Sequence, residues 1–385
     1  MPVEADFAAA LARLGPFGAS PRLAVAVSGG ADSSALALLA QGWAKAHGGS
    51  ILALIVDHGL RAESADEAAL TASRLAARGI QSRILTLANL PRAARVQEEA
   101  RIARHAILAG AAAAAGILHL LFGHHAADQA ETVAMRARHG SGGAEGMPAW
   151  SARNDILLLR PLLGMQPEAL RAYLRTRGMA WIEDPSNQAA KFERVRIRQA
   201  GAGIAPSGAL ARVERETEAA AFLARHAQIR PEGFAVLDAE AAPSAALGAL
   251  IRALGGAAYP PRREKLAALA ERLRPATLGG VRICSAGRLG PGWLLAREST
   301  ACAAPIPATL GALWDNRFRL AVAPEPGQML GALGADAAEY RKFNPLPSVV
   351  LRAMPCLRGP AATLCFPIEA RFSPPAPVTV HPFVT

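Results

Sequence analysis

A short turn near the start of the chain has the residue types that bind phosphate groups. It follows an apolar run and precedes an alanine- and leucine-rich segment, and it consists of Ser28, Gly29, Gly30, Ala31, Asp32 and Ser33. A strand, a glycine turn and a helix start in this order present backbone N–H groups and the positive end of a helix dipole to an anion. Asp32 would repel a bare anion, so it favours a Mg²⁺ ion between carboxylate and phosphates. The turn predicts a nucleotide site; an ordinary glycine turn is the alternative.

A second group of reactive side chains follows a later apolar run. His124 and His125 come directly after it, and a helix that begins near Ala126 would place Asp128 and Glu131 on one face. Two carboxylates with an imidazole can bind a cationic amine and accept its proton, or they can bind a metal ion. A helix N-terminus whose dipole favours acidic residues is the third interpretation. The sequence leaves all three open.

Two sets of cations could contact phosphates. Arg101 and Arg104 are three residues apart on one long predicted helix and face the same way. Four more cations fall within eight residues beside the aromatic Phe192, namely Lys191, Arg194, Arg196 and Arg198. A basic run with an aromatic residue suits contact with RNA. For both sets, a solvated arginine surface is the alternative.

Alternating strands and helices must position these groups. Apolar strands are predicted at residues 23–27, 51–56, 81–87 and 117–122, with helices at 33–46, 63–78 and 91–115 between them. This alternation predicts a Rossmann-like α/β fold, a parallel sheet with helices on both faces. Ligands of such sheets bind beyond the carboxyl ends of the strands. The turn at 28–33, Asp57 and the histidines are all expected at that edge.

The rest of the chain divides by composition. A short strand is predicted at 156–159 and a helix at 166–177, and the pattern breaks at about residues 200–208. We predict a catalytic domain at 1–203, a helical domain at 204–276, and a small mixed β-rich region with a proline-rich tail at 277–385. Strands at 281–284 and 293–296 are expected in that last region.

Composition limits the class of protein. The chain has 385 residues, 51% of them hydrophobic, and a formal net charge of +11, which favours a polyanionic partner such as nucleic acid. No apolar run reaches membrane-spanning length, and the first residues lack the pattern of a secretory signal. We therefore expect a soluble cytoplasmic protein without a membrane partner, and the sequence leaves a homodimer open.

Cysteine usage argues against metal-cluster or sulfur chemistry. The four cysteines lie in the last third of the chain without CxxC spacing, at Cys284, Cys302, Cys356 and Cys365. Reduced structural thiols are the expectation.

The turn at 28–33 resembles the SGGxDS signature of the PP-loop ATP pyrophosphatases, which split ATP between its α- and β-phosphates. The order of the motifs over about residues 20–200 is similar to that of one family within them, the tRNA(Ile)-lysidine synthetases. The matching segments are SGGADS (28–33), VDHGLR (56–61), QEEARIAR (97–104), GHHAADQAET (123–132), RPLL (160–163), WIEDPSN (181–187) and RVRIR (194–198). His105 replaces a usual tyrosine, and Val195 a usual asparagine.

The resemblance implies an ATP- and Mg²⁺-dependent ligase. Such an enzyme adenylates the wobble cytidine of an isoleucine tRNA with a CAU anticodon and releases pyrophosphate; free L-lysine then attacks C2 and expels AMP. By this resemblance, residues 28–33 and Asp57 would hold ATP, and Asp32 the metal. Asp128, Glu131 and His124 would bind and deprotonate lysine, and Arg104 would neutralise the α-phosphate. The cations at 191–198 and the helical domain would contact tRNA.

Other classes remain as alternatives. A PP-loop tRNA thiolase would usually carry cysteines near its core, and residues 1–283 contain none. An amidotransferase-coupled synthetase would need a glutaminase with a nucleophilic cysteine. A basic RNA-binding protein with a vestigial nucleotide fold would not need the intact SGGADS and HHAADQAET segments.

Overall fold

A computed structural model describes residues 2–57, 59, 63–87, 96–138, 146–152, 156–183, 209–257, 259–359 and 364–375. The chain divides into two units, one that ends at Val213 and one that begins at Glu214. The predicted boundary between residues 203 and 204 lies in 184–208, outside the described residues, and stays a prediction. No helix within the described ranges has the length and apolarity needed to cross a membrane.

A six-stranded sheet forms the centre of the first unit. Its strands are β1 (Arg22–Val27), β2 (Ser50–Asp57), β3 (Gln81–Thr86), β4 (His119–Leu121), β5 (Trp150–Ala152) and β6 (Leu157–Leu159). Their order is β3-β2-β1-β4-β6-β5, and every neighbouring pair is parallel except β5 with β6. The Rossmann-like sheet is therefore confirmed. The antiparallel β5 was not predicted, because a three-residue strand shows no periodicity.

Helices cover both faces of this sheet. Those of the described residues in the first unit are α1 (Pro2–Ala12), α2 (Ala31–Ala46), α3 (Ser64–Ala76), α4 (Val96–Ala114), α5 (Ala126–Arg138) and α6 (Pro167–Thr176). Successive β1 side chains point to opposite faces, as in any strand. Val25 packs in a cluster with residues of α1, α2 and α6, whereas Ala24 packs in another with Leu108 of α4. Burial on both sides explains why the strands are apolar throughout.

The parallel arrangement brings the candidate functional segments to one edge of the sheet. β1 ends directly before the turn at 28–33, β2 ends at Asp57, and β4 ends three residues before His124. Val25 lies opposite Ala53 of β2 and Leu121 of β4, and because the three strands are parallel their carboxyl ends point to the same edge. This edge is where ligands bind in doubly wound sheets.

The second unit contains both helices and β-sheets. Its helices include the larger part of α7 (Ala209–His226), together with α8 (Ser244–Gly255), α9 (Arg263–Ala270), α10 (Ala337–Tyr340) and α11 (Ser348–Arg352). A five-stranded antiparallel sheet has the order β7 (Ala227–Arg230), β8 (Phe234–Leu237), β11 (Trp293–Arg297), β10 (Val281–Ser285) and β9 (Ala276–Leu278). A four-stranded sheet contains β12 (Ile306–Pro307), β15 (Met329–Ala332), β16 (Pro355–Arg358) and β17 (Leu364–Cys365). A three-stranded sheet contains β13 (Leu313–Trp314), β14 (Phe318–Leu320) and β18 (Ala370–Phe372).

The pairing in this unit differs from the predicted division at residue 276. β7 and β8 interrupt the segment assigned to helices, and β8 pairs with β11 from beyond residue 276. One sheet thus contains strands from both sides of the predicted boundary. The physical reason is length: four-residue strands between alanine- and leucine-rich helices leave no readable alternation. The strands predicted at 281–284 and 293–296 are present as β10 and β11.

One carboxylate neutralises two arginines inside the second unit. Asp315 accepts a hydrogen bond from Arg317 Nε at 2.7 Å, and from Arg297 Nε at 3.1 Å and Nη2 at 2.9 Å. Arg317 is 1% exposed, and burial lowers its pKa while Asp315 opposes that shift. A buried guanidinium that loses its carboxylate is strongly destabilising. Asp315 is therefore an anchor of this unit.

We predict that Asp315→Asn lowers the free energy of unfolding of the second unit by about 3–5 kcal/mol, because the buried Arg317 and the partly buried Arg297 lose their counter-charge. Asparagine has the shape of aspartate and tolerates the φ of +52° at this position, so the change isolates the charge. Urea denaturation followed by circular dichroism measures the effect. The control Asp238→Asn alters an exposed carboxylate and should change stability by less than about 0.5 kcal/mol. Equal stability of the two variants would contradict the assignment.

Candidate active site

The turn at 28–33 is held in shape by its own serines. Ser33 Oγ donates a hydrogen bond to the carbonyl of Gly30 and accepts one from the backbone N–H of Ser28, both at 3.1 Å. The Ser28 hydroxyl oxygen also lies 3.1 Å from Ser33 Oγ. Ser33 thus holds the shape of the turn, while Ser28 stays exposed. The backbone is thus arranged for an anion before the anion binds.

Two glycines allow the close approaches around this turn. Gly29 has a φ of +84°, and a Cβ there would lie 2.5 Å from Thr71 Oγ1. Its carbonyl accepts a hydrogen bond from Ile182 N at 2.9 Å, which ties the segment after α6 to the turn. A Cβ on Gly123 would lie 3.2 Å from the backbone of Ser33. Gly123 therefore lets the β4 exit pass directly beside the turn.

A cavity of about 780 Å³ opens at this edge of the sheet. Most of the predicted site residues line it, namely Ser28, Gly30, Ala31, Asp32, Ser33, Arg104, His124 and Asp128. These residues come from the β1–α2 turn, from α4 and from the start of α5. The structure thus brings the phosphate turn and the candidate amine-binding carboxylate into one cavity.

Asp57 is not among the residues that line the cavity. It is buried, and its Oδ1 accepts hydrogen bonds from Gly59 N at 3.0 Å and from the Ser64 hydroxyl. Gly59 has a φ of +58°. The described contacts of Asp57 therefore join the end of β2 to Gly59 and to the first residue of α3.

Glu131 also lies away from the cavity lining. It is 4% exposed, whereas the Asp128 side chain is 22% exposed and lines the cavity. The helix predicted from about Ala126 is confirmed as α5, yet the spacing of three residues does not bring both carboxylates to the cavity wall. Asp128 Oδ2 instead accepts the backbone N–H of His125 at 2.9 Å, which caps the start of α5.

His125 connects the two carboxylates of the site. Its Nδ1 accepts the N–H of Ala127 at 3.2 Å, so the ring proton is assigned to Nε2, which lies 3.3 Å from Asp32 Oδ2. Asp128 Oδ2 lies 3.5 Å from Nδ1 on the other side of the ring. The sequence could not separate the roles of the two histidines. The structure does: His125 is buried between Asp32 and Asp128, and His124 lies against an aromatic stack.

Three rings form that stack on the cavity wall. Phe122 lies between His105 and His124, with ring centroids 4.9 Å and 6.0 Å away and interplanar angles of 19° and 17°. Both Phe122 and His124 line the cavity. His105, the departure from the usual tyrosine, thus retains a flat ring at its position and supports the wall behind His124.

The donors around Asp32 fit a magnesium ion. Its Oδ1 is buried and has no hydrogen-bond partner, a costly state for a carboxylate oxygen unless a ligand supplies one. Within the described ranges, no group of three or more His, Cys, Asp and Glu side chains could hold a metal alone. Mg²⁺ commonly uses one or two carboxylates and completes its shell with phosphates and water. Asp32 Oδ1 suits that role.

α6 supplies a part of the cavity wall that none of the sequence motifs indicated. Glu168, Arg171 and Arg175 all line the cavity, followed by Trp181 and Glu183 from the segment after the helix. Spacings of three and four residues place the first three on one helical face, and that periodicity could have revealed them. The predicted tRNA contacts Lys191, Arg194, Arg196 and Arg198 lie outside the described residues.

The cysteines do not contribute to this site. All four are free thiols in the second unit. Burial raises the pKa of the Cys356 thiol to about 11, which disfavours the reactive thiolate.

Comparison with known proteins identifies the family. A family described as a PP-loop domain matches residues 3–201. The chain is 41% identical over 314 residues to the tRNA(Ile)-lysidine synthase of Hyphomonas neptunium, an overlap of 73% of this chain and 84% of that protein. It is 38% identical over 351 residues to the Ruegeria pomeroyi enzyme of the same name, which covers 83% and 81% of the two chains.

Structural similarity is weaker. A U34-tRNA thiolase from Methanococcus maripaludis matches 51% of this chain and 71% of its own length at 17% identity, with a TM-score of 0.44, too low to support an argument. The chain belongs to the tRNA(Ile)-lysidine synthase family of PP-loop ATP-binding enzymes.

Proposed function

We propose that this cavity joins free L-lysine to C2 of the wobble cytidine of a CAU-anticodon isoleucine tRNA at the expense of ATP. Family membership supports the reaction. The observation that carries the assignment to residues is the continuous contact from Asp32 through His125 to Asp128 within one cavity. A nucleotide and an amine bound at the two carboxylates would lie close enough to react with one base between them. We place the reaction in the cytoplasm.

The first step transfers AMP to the cytidine. The cytidine O2 attacks the α-phosphorus of ATP, and the bond to the oxygen that bridges the α- and β-phosphates breaks. Pyrophosphate leaves with that electron pair. The backbone N–H groups of the turn at 28–33 and the start of α2 stabilise its charge. Asp32 Oδ1 would hold Mg²⁺, which supplies further charge stabilisation, and Arg104 on the cavity wall neutralises the α-phosphate.

The second step replaces AMP by lysine. The Asp128 carboxylate binds the lysine ammonium, and a proton must leave that nitrogen before it can attack C2. The C2–O2 bond then breaks, and AMP leaves with the oxygen and the electron pair. His124 faces the same cavity as Asp128 and is the candidate acceptor of the proton. Glu131 is buried on α5 one turn after Asp128 and is not among the residues that line the cavity, so we assign it no direct contact with lysine.

The reaction itself is tested with an unmodified CAU-anticodon isoleucine tRNA transcript, ATP and labelled lysine. We expect label in the wobble nucleotide, and none in a transcript whose wobble cytidine is replaced by uridine. Incorporation of label into both transcripts, or into neither, would contradict the proposal.

We predict that Asp32→Asn lowers pyrophosphate release at least about 100-fold while tRNA affinity changes less than about twofold, because the carboxylate acts on the phosphates rather than on the RNA. Asparagine keeps the size of the side chain. Asp66→Asn on α3 is the matched control, since Asp66 is an exposed carboxylate that does not line the cavity. Pyrophosphate release by Asp32→Asn at the level of that control would remove Asp32 from the mechanism.

We predict different effects for the two α5 carboxylates. Asp128→Asn should raise the KM for lysine at least about tenfold and leave tRNA-dependent pyrophosphate release largely intact, because a charge-assisted hydrogen bond to the ammonium is lost. Glu131→Gln should raise that KM less, because its side chain is buried away from the cavity lining. Steady-state kinetics with lysine varied compares them. The reverse order would make Glu131 the direct ligand of the amine.

A further inference from the structure

We propose that Arg171 and Arg175 of α6 bind backbone phosphates of the tRNA on either side of the nucleotide that enters the cavity. This inference rests on the proposed function, since it assigns residues to the RNA which that reaction modifies. Both side chains are exposed and both line the cavity. We refer to them as the α6 arginine pair.

The α6 arginine pair is free to bind an external anion. Neither side chain has a hydrogen bond or ion pair with the described part of the chain; Arg175 only places its guanidinium 5.9 Å from the Trp181 ring. Arg177, which does not line the cavity, pairs with Glu4 instead. Like charges four residues apart destabilise a helix slightly, so helix stability does not explain the pair.

Packing fixes which way the pair faces. Leu170, Tyr173 and Leu174 are buried on the side of α6 that packs into the core. The segments that flank the helix are also tied down. Ala126 N donates to the Met165 carbonyl at 3.0 Å, and Ile182 N donates to the Gly29 carbonyl at 2.9 Å. The first bond joins α6 to the start of α5, and the second joins it to the turn at 28–33. The pair is thus held at the wall between the two proposed substrate sites.

The chemistry of the pair suits phosphodiesters. A guanidinium presents parallel N–H donors that match two phosphate oxygens, and its charge is permanent. With Glu168 one turn earlier on the same wall, the net charge of this face is +1. The triphosphate of ATP already has its proposed cradle at 28–33. A base that leaves a single-stranded loop for an enzyme pocket carries its flanking phosphates to the rim of that pocket. Exposed arginines on the cavity wall are placed to bind those phosphates.

The test measures tRNA affinity as a function of salt. Binding of the unmodified CAU-anticodon transcript is followed by fluorescence anisotropy from about 50 to 200 mM KCl, where each phosphate contact to a single strand contributes about 0.7 to the slope of log K against log salt. We expect Arg171→Ala/Arg175→Ala to reduce that slope by about 1.4 and to weaken binding about tenfold at 100 mM KCl. The KM for ATP should change less than about twofold.

Two controls make the result specific. Arg83→Ala removes an exposed arginine of β3 that does not line the cavity, and it should leave the slope unchanged. Arg171→Lys/Arg175→Lys keeps both charges, so it should retain the slope while it loses part of the affinity. The inference is overturned if the alanine variant keeps the wild-type slope, or if the KM for ATP rises while tRNA binding is unchanged. Lysidine formation by the wild-type enzyme is measured in parallel. If lysidine forms but the alanine variant keeps the wild-type slope, only this inference fails; if no lysidine forms, the proposed function fails.

Discussion

Burial of His125 between Asp32 and Asp128 is the interaction on which the site depends. The ring is 6% exposed, and its two nitrogens lie 3.3 Å and 3.5 Å from one oxygen of each carboxylate. Because the Ala127 N–H donates to Nδ1, the ring proton is assigned to Nε2, which faces Asp32 Oδ2. Asp32 Oδ1 then remains without a hydrogen-bond partner and can bind a ligand. The His125 ring thus joins Asp32, the proposed metal ligand, to the start of the helix that carries Asp128, the proposed ligand of the amine.

The fold makes that contact possible through two constraints on the backbone. Parallel strands bring the carboxyl ends of β1 and β4 to the same edge. A Cβ on Gly123 would lie 3.2 Å from the Ser33 backbone, so glycine lets the chain after β4 pass directly beside the turn. A Cβ at residue 123 would be in tight contact with the Asp32 and Ser33 backbone, so it would force a small shift beside the residue that His125 contacts. Burial also fixes the position of the turn. β1 is apolar because both of its faces are buried, and this burial holds the strand from which the turn emerges.

The sequence was informative where chemistry and local geometry coincide. The position of the turn at 28–33 could be predicted because an apolar strand precedes it and an alanine- and leucine-rich helix follows it. Asp57 could not be placed, because the sequence does not say whether a carboxylate after a strand points to a ligand or back to its own turn. Glu131 shows the limit of helical spacing: residues three apart are neighbours, but only the packing of α5 decides which of them reaches the cavity. The α6 arginine pair belongs to none of the sequence motifs, and only the tertiary fold shows that both side chains line the cavity.

We propose that nucleotide phosphates bind at residues 28–33 with a metal ion on Asp32, beside the carboxylate that would receive lysine. A crystal structure with Mg²⁺ and an ATP analogue whose α–β bridge is a methylene group tests it most directly, because that bridge cannot be cleaved. We expect phosphate oxygens within hydrogen-bond distance of the backbone N–H groups of residues 29–33 and a metal ion on Asp32 Oδ1. A triphosphate bound elsewhere in the cavity, or a metal ion held without Asp32, would contradict it.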